Sequence, residues 1–526
     1  MIDRLESFVG PGRRGLFLGL GAFLLLLALS WVGFIASDDV TYAKGAYGWI
    51  EHFPYVGGHG TIRYPITIPM ALSFVTFGEN EFAMVLPSLL YLILFLVMAW
   101  RVTRDVAGPL PAFCALLACV TNPLIVVQSS IANVDMIEMA LLFGAWLLCF
   151  RCLEDGPDRR RLLGAGALVG LAFLTRETAV FAGLYFGLLF LAGHRFNRWH
   201  YLWMAAGFLA IWLLELVYLG IMTGDPFYRF NIALHHDPTI NRAIDLAGNV
   251  IVSPLIDPLL VMLINQEFML LMFLAIPLGA WLCFARQVPP RLRHFARLIA
   301  LFGLCWLLCV GAVQTLLPLN PRYFMITATM ACLLTGVALG WLIKERRDMT
   351  RLASLAGLAL LVGTNVIGIY VENRNPTFGE EKLVEILESR PGETIATDPM
   401  TQYRADLPLR WAGVSARVTS APPSGTGLYY YNPVRSAKPN AKMEPATVPM
   451  YQPQKDWERI ARFAPEPSYL ARTLQWSGAH RFLPTSIWDK LRHANESSYL
   501  YRVVDDAPPT ANAGGADGDK PAAGVR

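Results

Sequence analysis

The stretch that decides the fold runs from Leu16 to Tyr42. It reads LFLGLGAFLLLLALSWVGFI over 16–35, then Ala36, then SDDVTY over 37–42. The first part is almost unbroken apolar sequence. About twenty such residues are what an α-helix needs to cross a hydrocarbon core of roughly 30 Å. Directly behind it stand two acids, Asp38 and Asp39. Charge held that close to a bilayer face is costly unless it has work to do.

Working outward, the whole chain repeats the first signal. Its 526 residues are 54% hydrophobic and 16% charged, against about 25% charged in an ordinary soluble domain. About eleven apolar segments of spanning character follow one another, at 16–35, 82–100, 109–127, 134–150, 162–174, 178–192, 201–222, 266–284, 298–317, 322–343 and 353–371. The fifth and sixth are short and read as a hairpin with TRET (175–178) at its tip. The first reads as a retained helix rather than a cleaved signal peptide, because its apolar run is long and no small-x-small site follows.

Arginine and lysine mark alternate connections: Arg13 and Arg14, Arg101 and Arg104, Arg159 to Arg161, Arg195 and Arg198, Arg291 to Arg297, Lys344 to Arg351. The positive-inside rule makes these cytoplasmic. The other connections, including 36–81, 223–265 and everything after 371, then face outward. The expected organisation is a polytopic α-helical membrane domain over 1–371, a small soluble α/β domain over 372–505 outside the membrane, and a disordered tail over 506–526. The eight cysteines all lie in or beside apolar runs and none has zinc-finger spacing. They read as packing residues. The disulfide-free outer domain is held by its core alone.

The chemistry gathers on the outward side. The first outward connection holds Asp38, Asp39, Tyr42, His52, His59 and Arg63. An interfacial aromatic belt explains its tyrosines and Trp49, but not two acids and an arginine. Asp135 opens the segment at 134–150, with Glu138 one turn further on the same face. An acid at a helix N-terminus favours the dipole, yet Glu138 lies a turn inside the membrane. Arg176 and Glu177 interrupt FLTRETAVF. His235, His236 and Asp237 sit in the next outward connection, where one histidine can serve as a ligand. Arg322 stands in NPRYF (320–324). Transporters place their charges near the midplane, in interrupted helices. Here they cluster at one surface, which suits an enzyme acting on a lipid-linked substrate.

In order and spacing these residues resemble the GT-C membrane glycosyltransferases, in the family-39-like group. That group holds protein O-mannosyltransferases, aminoarabinose transferases of lipid A and galacturonosyltransferases of lipopolysaccharide core. The resemblance rests on Asp38, Asp39 and Tyr42, on Arg63 and Pro65 in RYPI, on FGENEFAMVLPSLL (77–90), on Asp135, on GLAFLTRET (170–178) and on PRYF. It covers about 16–345. The chain departs from the aminoarabinose transferases at Thr41, where they carry arginine, at Ile62 and Arg63, where they carry an acid and lysine, and at Val85, where they carry arginine. These departures point away from aminoarabinose transfer and its metal site.

The resemblance implies an inverting transfer from a polyprenyl-phosphate sugar to an envelope glycolipid or protein acceptor, at the outer face of a bacterial inner membrane. It implies Asp38 as the base that takes the acceptor proton, with Asp39 beside it. Two adjacent acids repel, which raises one pKa. Tyr42, Arg63, Asp135, Arg176 and Arg322 are the candidate substrate contacts, with Arg63 first for the leaving phosphate. The resemblance does not always imply a metal. A divalent ion is the one option, with Asp135, Glu138 and His235 as its candidate ligands. Membrane lipids are partners and nucleic acid is not. Two other readings share the many helices: a flippase or exporter of lipid-linked sugars, which has no need of Asp38, and an O-antigen polymerase or ligase, which lacks the acid pair and the carboxyl-terminal domain.

Overall fold

The computed structural model describes residues 13–235, 256–313, 319–422, 426–440 and 442–503. The chain divides into two units. The first takes residues 1–378 and 465–495, so the division does not follow the boundary expected at 372.

In chain order the first unit contains α1 (Arg14–Leu29), α2 (Asp38–Glu51), α3 (Tyr64–Phe77), α4 (Glu81–Ala107), α5 (Pro109–Thr121), α6 (Pro123–Ser129), α7 (Val134–Asp155) and α8 (Arg159–Thr175). It continues with α9 (Ala182–Ala192), α10 (Leu202–Thr223), α11 (Tyr228–His235), α12 (Asp257–Ile264), α13 (Leu271–Phe284), α14 (Pro290–Ala312), α15 (Met325–Glu345) and α16 (Met349–Glu372). Local sequence sets the boundaries. Asn80 accepts from the Ala83 N–H at the start of α4, at 2.9 Å, and Asp348 accepts from the Thr350 N–H at the start of α16, at 3.0 Å. Such side chains satisfy N–H groups that have no partner within the helix. Pro123 ends α5, and α5 and α6 meet at a bend of 63°.

The chain is a membrane protein. Among the described residues, six helices are long and apolar enough to cross a bilayer, and α5 with α6 makes a seventh if the bent pair is one span. That is fewer than the eleven segments expected. Three of the remainder, α1, the stretch Glu177–Ala192 and α13, are shorter apolar helices. Each has a visible cause. The chain leaves the helix at Ser30, whose hydroxyl turns back to the Leu26 carbonyl at 2.6 Å. Arg176 breaks the run between α8 and α9, and Pro277 lies inside α13. The expected hairpin at TRET also opens: α8 packs on α7 and α10, whereas α9 packs on α14. The first outward connection is largely helical, as α2 and α3. Alternation of charge and apolar runs could not reveal this.

The core of this unit is α15, wholly buried along its apolar length. Gly336 and Gly340 let it approach α5 closely. A Cβ at Gly336 would stand 2.3 Å from the Ala115 Cα, and one at Gly340 would stand 2.5 Å from the Pro111 Cα. Small residues four apart are how membrane helices gain contact where lipid removes the hydrophobic drive.

The second unit holds residues 379–464 and 496–526. It contains α17 (Phe378–Ser389, joined at its first residue), α18 (Pro399–Trp411), the short α19 (Pro433–Ser436) and a sheet. The strands are β1 (Ile395–Ala396), β2 (Val418–Thr419), β3 (Gly427–Tyr431), β4 (Glu458–Phe463) and β5 (Ser498–Val503), in the order β2-β1-β3-β5-β4. β1 runs parallel to β2 and β3, and β5 antiparallel to β3 and β4. The period of two sends consecutive tyrosines of GLYYY to opposite faces. Tyr430 joins Leu383, Leu387 and Ile395, while Tyr429 joins Met443, Tyr451 and Trp457. The helices α20 (Tyr469–Ser477) and α21 (Thr485–Leu491) return to the first unit.

Candidate active site

The site begins where α1 ends. Residues 31–36 are not helical, and Glu81 at the start of α4 holds them. Its carboxylate accepts from the Trp31 Nε1–H at 2.6 Å and from the Phe34 N–H at 3.0 Å. Gly33 permits this approach, for it lies at φ +76° and a Cβ there would meet the Glu81 carboxylate at 2.1 Å. The bracket fixes the point at which α2 starts, and so the position of the acid pair.

The two acids do different things. Asp39 is fully buried. It accepts from the N–H groups of Ile35, Ser37 and Val40, at 2.7, 2.6 and 3.0 Å. Burial pushes its pKa up, against the pull of those N–H groups. Repulsion from Asp38 adds only a little. Asp39 therefore ties the turn into α2. Asp38, with its side chain 47% exposed, faces outward from that turn and accepts from Arg322 Nη1 at 2.9 Å. Burial alone would raise its pKa. Arg322, then Arg63 and Arg176, outweigh burial and hold it below the ordinary carboxylate value. Asp38 is thus an ionised carboxylate that water or a substrate can reach.

Three arginines converge on this acid from separate parts of the chain. Arg322 lies in the turn Pro321–Phe324, where Asn320 accepts from its N–H at 3.1 Å. Arg176 stands at the break between α8 and α9. Its guanidinium lies 4.3 Å from the centre of the Tyr323 ring, and that of Arg322 lies 5.6 Å from the same ring. Two cations flanking one aromatic ring are each stabilised by its face. The Tyr323 carbonyl in turn accepts from Trp306 Nε1 at 2.8 Å. Arg63, just before α3, lies 5.9 Å from the ring of buried Tyr42 and 3.3 Å from His59 Nε2.

Asp135 and Glu138 line the inner wall. Both are nearly inaccessible on α7, which Asn133 caps by accepting from the Asp135 N–H at 2.6 Å. Arg176 donates to Asp135, and the Thr178 hydroxyl donates to Glu138 at 2.7 Å. A small, partly open cavity lies among Asp135, Glu138, Arg176, Thr178, Arg322 and Tyr323. Among the described residues, Nε of Arg63, Nε of Arg322 and Oδ2 of Asp135 are buried and have no hydrogen-bond partner. Buried polar atoms normally have one.

Of the candidate metal ligands, Asp135 and Glu138 already have partners within the protein. Asp135 is engaged by a guanidinium, and no group of three His, Cys, Asp or Glu side chains comes together among the described residues. The side chain of His235, with His236 and Asp237, lies outside the described residues. The donor set at the cavity suits an anion.

One element escaped the sequence reading. Arg229 on α11, 1% exposed, gives Nε to Glu215 at 2.7 Å, Nη1 to Glu177 at 2.9 Å and Nη2 to the Ile62 carbonyl at 2.9 Å. Nη2 also reaches the Leu174 carbonyl at 3.3 Å. It ties together the residue before Arg63, the residue after Arg176 and the spanning helix α10. The signal was present: Glu215 is a carboxylate inside an apolar helix, and such a group needs a partner.

Residues 65–218 match the family model described as dolichyl-phosphate-mannose-protein mannosyltransferase. No curated protein matches the chain in sequence. Among solved structures, ArnT from Cupriavidus metallidurans in the apo state is 14% identical with a TM-score of 0.55, over 85% of this chain and 96% of that one. The same protein bound to undecaprenyl phosphate is 13% identical with a TM-score of 0.56, over 95% of this chain and 100% of that one. The chain therefore has the GT-C fold of membrane glycosyltransferases, consistent with the group that includes the protein mannosyltransferases and ArnT.

Proposed function

We propose that this protein transfers a sugar from a polyprenyl-phosphate donor to a hydroxyl of an envelope glycolipid or a protein, with inversion, at the outer face of the inner membrane. The observation that carries this reading is the convergence of Arg322, Arg63 and Arg176 on one accessible, ionised acid, Asp38. The fold supports it, and so does the undecaprenyl phosphate bound by ArnT. On this reading all eleven apolar segments lie in the membrane, and the second unit is periplasmic.

The chemistry asks little of the chain. The acceptor oxygen forms its bond to the anomeric carbon as the bond from that carbon to the phosphate oxygen breaks. Asp38 takes the acceptor proton, and the electron pair of the broken bond stays on the lipid phosphate. Arg322 then has two partners in turn. Before binding it holds Asp38. With the donor in place it turns to the phosphate, beside Arg176 and Arg63. Removing a cation from Asp38 raises its pKa and makes it a better base when the proton must move. The guanidiniums stabilise charge that grows on the leaving oxygen, with the open Nε atoms as spare donors. Asp135 sets the orientation of Arg176, and Asp39 sets that of Asp38.

Mass spectrometry of envelope lipids and glycans tests this, in a strain lacking the gene and complemented with wild type or Asp38→Asn. Wild type restores a missing sugar. Asp38→Asn, present at normal level in the membrane, is expected to lower transfer by roughly 10²–10⁴-fold, the usual contribution of a general base. Full restoration by Asp38→Asn removes the base assignment and brings a flippase or exporter forward.

A further inference from the structure

Residues 465–495 follow the last spanning helix in sequence by nearly a hundred positions, yet they belong to the membrane unit. They form α20, a short turn at Ala479–Phe482 and α21. One face of this helical hairpin is apolar. Leu474, Ile487 and Leu491 pack with Val366 and Tyr370 of α16 and with Leu29 of α1. Val366 is six residues before the end of α16, or about 9 Å along a helix axis. The hairpin therefore packs on the last turns of α16, at the end of a helix long and apolar enough to span a bilayer.

The other face is exposed among the described residues. Trp476 and Phe482 are each 89% exposed. Arg472, Arg481 and Arg492 of the same segment are exposed, Arg472 with an ion pair to Glu466 at 3.1 Å, and the whole segment holds only Glu466 and Asp489 as acids. In water, two large aromatic side chains so exposed leave apolar surface unmet. At a membrane interface the same composition is favourable, because aromatic rings settle at headgroup depth and basic side chains are drawn to lipid phosphate.

We infer that the hairpin 468–492 is an interfacial anchor. It inserts Trp476 and Phe482 into the headgroup layer of the leaflet at which α16 ends, and Arg472, Arg481 and Arg492 contact lipid phosphates. The occupant is the bilayer rather than a second protein, because the hairpin packs at the end of a helix long and apolar enough to span a bilayer and the exposed charge is opposite to that of a phosphate layer. The inference stands on packing, exposure and charge, and is independent of the sugar-transfer reading.

The test uses the full chain in vesicles of phosphatidylcholine and phosphatidylglycerol. Trp476→Cys and Phe482→Cys are labelled with an environment-sensitive fluorophore. All native cysteines are buried except half-buried Cys309, and the unsubstituted chain reports any labelling there. Nitroxide carried on lipid near the headgroup is expected to quench both labels at least about twofold more than aqueous iodide does. Preferential quenching by iodide puts the hairpin in water and overturns the anchor. Protection from both quenchers that grows with protein-to-lipid ratio assigns the face to a second copy and also overturns it. Because those labels replace the aromatics, a label at Gln475→Cys is compared with and without Trp476→Ala and Phe482→Ala. Removal of the rings should weaken lipid quenching and leave thermal unfolding unchanged. Unchanged lipid quenching means that the rings do not anchor, and a loss of thermal stability means that they pack within the protein. Either result overturns the inference.

Discussion

Arg229 and Arg322 are both guanidiniums drawn out of water in one unit, and they meet opposite fates. Arg229 is satisfied by two carboxylates and two backbone carbonyls. Arg322 has one ion pair, to a half-exposed acid, and a buried Nε without a partner among the described residues. The same contrast divides the acid pair. Asp39 is saturated by three N–H groups and closed off, whereas Asp38 is open to substrate. A saturated charge holds structure. A charge left partly unsatisfied beside a cavity is available for binding and chemistry.

The sharpest way to break this comparison is to remove Arg229. Arg229→Met leaves Glu215, 1% exposed on its side chain, without its cation. Stranding one member of a buried pair costs roughly 3–5 kcal/mol, so thermal unfolding in lipid nanodiscs should show a large loss. Adding Glu215→Gln should recover part of it. A fully stable Arg229→Met would show that the knot is not structural.

Asp39→Asn should come next in size. Asparagine keeps one acceptor oxygen and turns an NH₂ group toward N–H groups that need acceptors. About 1–3 kcal/mol of destabilisation follows from leaving such buried groups unsatisfied, again read by thermal unfolding. Asp38→Asn in the same assay should unfold like wild type. If both variants unfold alike, the division of labour between the acids fails.

The smallest effect concerns pH. The Asp38 carboxylate is held below its ordinary value by neighbouring arginines. Its contribution as a base is therefore present at neutral pH and lost only as pH falls through that lowered value. In wild type the Asp38 limb of kcat/KM should lie below the ordinary carboxylate range. Arg322→Gln removes the strongest opposing charge and leaves burial to raise the pKa. The limb should move to higher pH. A limb that stays in place would show that Arg322 does not tune Asp38.

Much of the site was legible because charge in an apolar chain has few neutral explanations. Asp38, Arg63, Asp135, Arg176 and Arg322 stood out against their surroundings, and the structure brings Asp38 together with Arg322 and Asp135 together with Arg176. Which acid is accessible was not legible, since Asp38 and Asp39 are chemically identical neighbours and only the turn built on Glu81 and Gly33 tells them apart. Arg229 went unread because its partners lie 14, 52 and 167 residues away.

The sequence by itself determined that this is a membrane protein with apolar helices, which connections carry excess positive charge, and where along the chain charge is out of place. These are properties of local composition, and the cost of burying charge in lipid makes them readable one segment at a time. Only the tertiary structure decided which helices are long enough to span, that the connection between α1 and α4 folds into α2 and α3, that 465–495 returns to the membrane unit, and which charge faces which. Each of these depends on partners distant in sequence, and no local pattern encodes a distance across the fold.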